Sequence, residues 1–183
     1  MYIQLIQGSV SKAGRMSEDL STMKSSYGID FIKECQRNRF PLLFLDRITQ
    51  LSPGTSADGL KCFTYNEWFF PAHFEDNPVV PGFVLLESMT QTFIMTFLSL
   101  SEYRGQETAF LTIREARFSR KVIPGDVLST HAELERFRFG IAEGRVTGHV
   151  GEDIACEVKL SVGIPSKFLG LQPKRRTPEE NNP

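Results

Sequence analysis

The sequence has few of the features that mark specialised protein classes. Its 183 residues include only three widely spaced cysteines (Cys35, Cys62 and Cys156) and no Cys-x-x-Cys or Cys/His ligand spacing, so we expect neither a disulfide framework nor a metal site. Lysine and arginine number 21 against 22 acidic residues, and this balance argues against general nucleic-acid binding. One tryptophan stands against 15 phenylalanines, which predicts an aromatic core.

Long, uninterrupted apolar runs are also absent. The longest apolar stretch, residues 79–100, contains Pro81, Glu87 and Gln91, so we expect a buried helix and no membrane span. No basic segment precedes a sustained apolar run at the N-terminus, so we expect no secretory signal. Together with the sparse cysteines, these absences predict a cytoplasmic protein.

The composition divides the chain into three parts. Residues 1–27 are polar and aperiodic, and we interpret them as a partly flexible N-terminal extension. Residues 28–168 carry the periodic patterns of one folded domain. Residues 169–183 are rich in proline, charge and asparagine, which predicts a mobile C-terminal tail.

The central part predicts an α+β domain. Its patterns indicate a short helix over 29–37, two strands over 42–48 and 60–70, a long helix over 81–103, and four strands over 109–119, 126–137, 141–150 and 153–164. The long helix is apolar on nearly all sides, which is typical of a helix surrounded by other structure. An antiparallel sheet wrapped around that helix satisfies the whole pattern.

The residues that could carry chemistry lie between positions 68 and 91. His73 is in an aromatic, proline-bounded loop, where it is either a general base or a buried histidine bonded to a carbonyl. Glu87 is on the apolar helix, where burial favours the protonated acid, unless it lies at a solvated edge. Gly82 offers free N–H groups at the predicted helix start, and Gln91, one turn after Glu87, can orient its carboxyl.

Base, acid and N–H donor together fit one reaction, the loss of water from a 3-hydroxyacyl thioester. His73 would take the proton next to the thioester carbonyl, and Glu87 would protonate the departing hydroxyl. The Gly82 N–H would stabilise the enolate-like charge. In the alternative interpretations, Gly82 only relieves crowding and Gln91 is an amide at the edge of the core.

Ordered motifs occur in three segments of the chain. The first is Asn38-Arg39-Phe40-Pro41-Leu42-Leu43-Phe44-Leu45-Asp46-Arg47, and the third is Ala116-Arg117-Phe118-Ser119-Arg120-Lys121-Val122-Ile123-Pro124-Gly125-Asp126. The second carries His73, Phe74, Pro78, Pro81, Gly82, Glu87 and Gln91. Over residues 29–164, these motifs resemble the 3-hydroxyacyl-[acyl carrier protein] dehydratases of type II fatty acid synthesis, which have the hotdog fold.

The resemblance implies an active site formed between two protomers of a homodimer, with a trimer of dimers also open. His73 of one protomer would be the base, Glu87 of the other the acid, and the Gly82 amide would polarise the carbonyl. The substrate would be a (3R)-3-hydroxyacyl thioester on acyl carrier protein and the product the trans-2-enoyl thioester. No cofactor is implied beyond the phosphopantetheine arm that carries the substrate.

The resemblance also implies an acyl tunnel beside the central helix, for which the candidate lining residues are Phe70, Phe74 and Phe83. Because carrier proteins are acidic, a basic patch of Arg117, Arg120 and Lys121 is a candidate docking surface. Ordinary solvated strand charges are the alternative interpretation of that patch.

The motif departs from the family at several positions. Ala72 replaces the usual Gly, Val80 the usual Met, and Asn38 the usual His. These departures leave two other hypotheses open: a hotdog thioesterase that does not need His73, and a non-catalytic acyl-binding subunit. They also suggest a specialised acyl or polyketide pathway as readily as housekeeping fatty acid synthesis. Whether the protein also isomerises its product is left open.

Overall fold

The computed structural model describes residues 26–167. Within them, the chain forms helices α1 (Ile29–Cys35) and α2 (Gly82–Leu98), with short 3₁₀ turns at Phe70–Ala72 and Pro165–Lys167. The strands are β1 (Arg47–Ser52), β2 (Ser56–Cys62), β3 (Ala109–Phe118), β4 (Val127–Arg138), β5 (Ile141–Val150) and β6 (Asp153–Gly163). The predicted extension and tail fall almost wholly outside the described residues.

The strands form one antiparallel sheet in the order β1-β2-β4-β5-β6-β3. The β4–β5 and β5–β6 connections are tight hairpins that turn at Gly140 and Gly151, where positive φ angles of 75° and 61° favour glycine. The last four strands lie within a residue or two of their predicted bounds. The predicted α+β architecture, a sheet around one helix, is confirmed.

Helix α2 occupies the inner face of this sheet, and every residue from Ser88 to Leu98 is buried. Three of its threonines avoid unpaired burial by bonding to carbonyls of their own helix. Thr90 donates to Leu86 O at 2.7 Å, and Thr96 donates to Phe93 O at 2.7 Å. No helix in the part of the chain that the structure describes is long and apolar enough to cross a membrane.

Close approach of the helix to the sheet depends on glycines in the strands. A Cβ on Gly144 would lie 2.5 Å from Phe93 Cε2 and would also clash with the carbonyl oxygen of Glu133. A Cβ on Gly148 would lie 3.3 Å from Met89 Sδ. The missing side chains therefore make room for the large residues of α2 that fill the core.

Two strand predictions near the N-terminus are wrong in their bounds. The first strand begins at Arg47 instead of residue 42, because the backbone at Leu42 and Phe44 takes its partners from side chains of α2. Phe44 N donates to Gln91 Oε1 at 2.8 Å, and Ser88 Oγ donates to Phe44 O at 2.8 Å. The second strand ends at Cys62, and residues 63–70 form turns.

Six of the 14 phenylalanines within the described residues lie in the core, as the composition predicts, and six others are exposed. Within the described residues, those with 2% exposure or less are Phe44, Phe63, Phe69, Phe70, Phe93 and Phe97. Several of these rings pack edge-on or tilted against one another, which is the arrangement that aromatic side chains prefer. The turns of residues 63–70 are therefore held by aromatic packing and not by strand pairing.

Gly144→Ala tests whether helix and sheet are in close contact. We expect this change to lower the free energy of unfolding by about 3 kcal/mol, because the new methyl group overlaps both Phe93 and the neighbouring strand backbone. Gly28→Ala is the matched control, since a Cβ there meets nothing within 4 Å. Urea unfolding at fixed protein concentration measures both variants, and equal stabilities would contradict the close contact.

Candidate active site

Glu87 lies in the second turn of α2, just before the fully buried part of the helix. Its side chain is half-buried, and this burial raises the pKa of the carboxyl above its ordinary value of 4.5. Hydrogen bonds from Gln91 and Asn38 favour the ionised form, and they oppose the effect of burial only in part. Glu87 therefore retains its proton to higher pH than a solvated glutamate.

One oxygen of the Glu87 carboxyl receives two amide donors. Gln91 Nε2 donates to Oε1 at 2.7 Å and Asn38 Nδ2 donates to the same oxygen at 3.0 Å. Gln91 is held in turn, because its amide also accepts from Phe44 N at 2.8 Å and donates to Leu42 O at 2.6 Å. The predicted proximity of Gln91 to Glu87 is present, whereas sequence reasoning noted Asn38 only as a departure from the motif.

His73 follows the 3₁₀ turn Phe70–Ala72 and is half-buried. Its Nδ1 lies 3.0 Å from Val79 O. Because a carbonyl oxygen only accepts, Nδ1 must carry the hydrogen, and Nε2 of the neutral ring keeps its lone pair. The imidazole stacks on Phe74 with ring centroids 4.5 Å apart. The Nε2 of His73 accepts no hydrogen bond from residues 26–167.

Gly82 is the first residue of α2, and its N–H has no acceptor among residues 26–167. The helix dipole adds partial positive charge at this end. A cavity of about 280 Å³ lies beside it, and Phe118, Lys121 and Leu85 are among its lining residues. The ring of Phe118 faces the Cα of Gly82 closely enough that a Cβ would lie 3.2 Å from it.

Two further cavities meet at Glu87. One, of about 300 Å³, is lined largely by polar groups, among them Arg37, Asn38 and Glu107. The other, of about 310 Å³, is apolar, and its lining residues are Leu42, Phe44, Phe83, Leu86, Glu87, Phe110 and Ile113. The carboxyl therefore lies where a polar and an apolar space join, which suits a reaction at a polar group attached to an apolar chain.

The candidate base and acid do not line a common cavity among those described above. Neither cavity that Glu87 lines includes His73 or Gly82, and the cavity beside Gly82 does not include Glu87. Each of the two side chains is held in place by its own hydrogen bonds.

The other predicted residues have different surroundings. Of the tunnel candidates, Phe83 is 60% exposed and lines the apolar cavity, Phe74 is 55% exposed beside His73, and Phe70 is 1% exposed in the core. Of the docking candidates, Arg117 and Lys121 are exposed. Arg120 instead donates to Val150 O at 2.8 Å, so its guanidinium helps to hold the sheet.

Comparisons with known sequences agree on one family. A family model described as a FabA-like domain matches residues 37–159. The chain is 43% identical over 127 residues to a 3-hydroxyacyl-[acyl-carrier-protein] dehydratase FabZ of Chloroflexus aggregans, covering 69% of this chain and 88% of that protein. It is 37% identical over 139 residues to the dehydratase FabZ of Desulforamulus reducens, covering 76% and 98%.

Solved structures share the fold at low sequence identity. The dehydratase heterocomplex ApeI:P from Xenorhabdus doucetiae matches with a TM-score of 0.65 and 14% identity, covering 73% of this chain and 90% of that one. The uncharacterized protein PH1136 from Pyrococcus horikoshii matches with a TM-score of 0.54 and 13% identity, covering 68% and 86%. The predicted hotdog fold is confirmed.

Glu87→Gln tests the raised pKa through stability. Below about pH 4.5 the folded and unfolded chains both hold the proton, so wild type and variant should unfold at similar temperatures. Above it, the unfolded chain ionises freely while burial opposes ionisation in the folded chain. The wild type therefore loses stability relative to the variant as pH rises, until the folded carboxyl has also ionised.

Thermal unfolding measured across pH decides the question. Glutamine keeps an oxygen that can accept from Asn38 and Gln91, so the comparison isolates the charge. Glu152→Gln is the matched control, because it removes the same charge from an exposed position in the β5–β6 turn. A wild type that is at least as stable as Glu87→Gln at pH 8 would contradict the raised pKa.

Proposed function

This chain belongs to the FabA-like family of 3-hydroxyacyl-[acyl-carrier-protein] dehydratases, and we propose how its residues carry out the dehydration. The reaction removes water from a 3-hydroxyacyl thioester on acyl carrier protein in fatty acid biosynthesis. The observation that supports our assignment of roles is that the chain holds both a histidine with Nδ1 on a carbonyl oxygen and a glutamic acid whose pKa is raised by burial. A histidine and a carboxylic acid of this kind can serve as the base and the acid of one reaction.

In the proposed mechanism, His73 Nε2 removes the proton from the carbon next to the thioester carbonyl. The Gly82 N–H binds the carbonyl oxygen as it gains negative charge. Glu87 donates its proton to the 3-hydroxyl group, the carbon–oxygen bond breaks, and water leaves as the carbon–carbon double bond forms. His73 is then protonated and Glu87 ionised, and transfer of one proton from His73 to Glu87 restores the enzyme.

We propose that the (3R)-3-hydroxyacyl thioester is converted to the trans-2-enoyl thioester without a cofactor. His73 accepts the proton that leaves the substrate carbon, Glu87 donates the proton that leaves with water, and no electron transfer is required. The acyl chain lies in the apolar cavity that begins at Glu87, where Phe83, Phe110 and Ile113 provide the contacts. Phe74, exposed beside His73, contacts the substrate at the entrance.

A homodimer completes the proposed site. Strand β3 lies at the edge of the sheet, and nine of its ten positions are exposed, including Phe110, Ile113 and Phe118. A long edge strand with exposed apolar residues favours pairing with another strand. We propose that β3 pairs with β3 of a second copy, which covers the apolar cavity and brings His73 of the partner subunit to Glu87.

The carrier protein is proposed to dock beside the N-terminus of α2. Lys121 lines the cavity next to Gly82, and Arg117 is exposed on the same strand-to-loop segment. An acidic carrier placed there delivers its phosphopantetheine thioester toward the Gly82 N–H. Arg120 contributes by donating a hydrogen bond to Val150 O, which holds this segment against the end of β5. Enzyme and carrier protein are proposed to meet in the cytoplasm.

Mixing two inactive variants tests the composite site. His73→Ala and Glu87→Ala should each lose nearly all conversion of a 3-hydroxyacyl thioester to the 2-enoyl thioester while remaining folded dimers. After subunit exchange, half of the dimers carry one intact site, so activity should recover to about one quarter of wild type. Ultraviolet absorbance of the enoyl thioester measures the recovery.

Two results would contradict the proposal. No recovery, despite exchange confirmed by mass spectrometry of differently tagged subunits, would show that base and acid do not come from different protomers. Release of free thiol without enoyl product by the wild type would indicate a thioesterase instead. His131→Ala is the matched control, because His131 is exposed on β4. This variant should retain wild-type activity.

A further inference from the structure

We infer that Asn38 is a positioning residue for the dehydration, one that reserves Oε1 of Glu87 as the proton-free oxygen and so directs the catalytic proton to Oε2. This inference rests on the proposed role of Glu87 as the acid. It gives a role to Asn38, a position at which this chain departs from the motif of the dehydratases that it resembles.

Both amide donors converge on a single oxygen. Asn38 Nδ2 and Gln91 Nε2 lie 3.0 Å and 2.7 Å from Oε1 of Glu87, whereas Oε2 accepts no hydrogen bond from residues 26–167. A carboxyl oxygen has two lone pairs in its plane, and two N–H donors occupy both of them. A proton on Oε1 would therefore displace one of the donors, while a proton on Oε2 displaces nothing.

The consequence is a defined direction for proton donation. In a neutral carboxylic acid the carbonyl oxygen accepts and the hydroxyl oxygen donates. With Oε1 occupied by the two amides, Oε2 carries the hydroxyl hydrogen into the cavities that meet at Glu87. A substrate hydroxyl in that space then meets the hydrogen directly, which is the geometry that general acid catalysis requires.

Asn38 reaches Glu87 from a different part of the chain than Gln91. Gln91 is on α2 itself, whereas Asn38 belongs to the segment that follows α1. Arg39 ties that segment to the end of α1, because Nη1 donates to Gln36 O at 2.8 Å and to Asn38 O at 2.7 Å, and Nη2 donates to Lys33 O at 2.9 Å. The Asn38 amide is thus presented by a fixed backbone, and two independent supports hold the carboxyl.

The charged groups around Glu87 do not replace this role. Arg37 and Glu107 line the same polar cavity, but they pair with each other at 2.6 Å and largely cancel. The apolar cavity on the other side adds no charged residue besides Glu87 itself. In the proposed dimer, His73 of the partner subunit is the remaining titratable group. The two amides are therefore the groups that distinguish the two carboxyl oxygens.

Asn38→Leu and Asn38→His separate donation from shape. Leucine has a similar volume but no N–H, so kcat for dehydration should fall about tenfold with little change in KM. Histidine supplies a ring N–H and should restore at least part of kcat. Because a lost donor no longer favours the ionised form, the titration midpoint of Glu87 should move to higher pH in Asn38→Leu and back toward wild type in Asn38→His.

Carbon-13 NMR of the glutamate carboxyl groups measures that midpoint without reference to activity. The Glu87 signal is assigned by its absence from Glu87→Gln. Asn66→Leu is the matched control, since Asn66 lies exposed in a turn, and it should match wild type in both readouts. An unchanged Glu87 midpoint in Asn38→Leu would overturn the inference, even if kcat fell. A wild type without dehydratase activity would overturn the proposed function. The carbon-13 titration of Glu87 would still show whether Asn38 donates to its carboxyl group.

Discussion

The burial of one carboxyl group on an otherwise apolar helix constrains the structure around it. Threonines of α2 bond to carbonyls of their own helix, as Thr90 and Thr96 do. The carboxyl of Glu87 differs, because its oxygens need side-chain donors when they are half-buried. Gln91 and Asn38 supply them, and Gln91 must in turn be held by the backbone of 42–44.

This requirement explains the path of the chain before the first strand. The segment that carries Leu42 and Phe44 lies against α2 because Gln91 and Ser88 provide its backbone partners. An unpaired backbone group in that buried position would be unfavourable, so the segment and the helix depend on each other. The same contacts that support Glu87 therefore also close one side of the core.

The candidate base is held by a separate set of contacts. His73 bonds to Val79 O, and Val80 N donates to Val122 O at 2.8 Å, so the loop is anchored to the connection between β3 and β4. Lys61, which is mostly buried, pairs with Glu67 at 2.8 Å at the other end of the same loop. The candidate base and the candidate acid are thus held in place by separate sets of contacts, which suits the proposed site between two protomers.

Local patterns predicted most of the fold, and long-range contacts account for what they missed. Strand-like runs located the last four strands, and the apolar run located α2, although the helix ends at Leu98 and not near residue 103. The spacing of Glu87 and Gln91 by one turn predicted that they could interact. No local pattern could reveal that Asn38, 49 positions away, reaches Glu87, or that the backbone at Leu42 and Phe44 bonds to side chains of a helix.

Glu87 is a half-buried acid that keeps its proton beyond the pH at which a free glutamate loses it. The infrared difference spectrum between wild type and Glu87→Gln, recorded across pH, tests this claim most directly. We predict a carbonyl stretching band of a protonated carboxyl group that persists above pH 4.5 in the wild type and is missing from the variant. A band that disappears at or below pH 4.5 would show that the pKa of Glu87 is not raised.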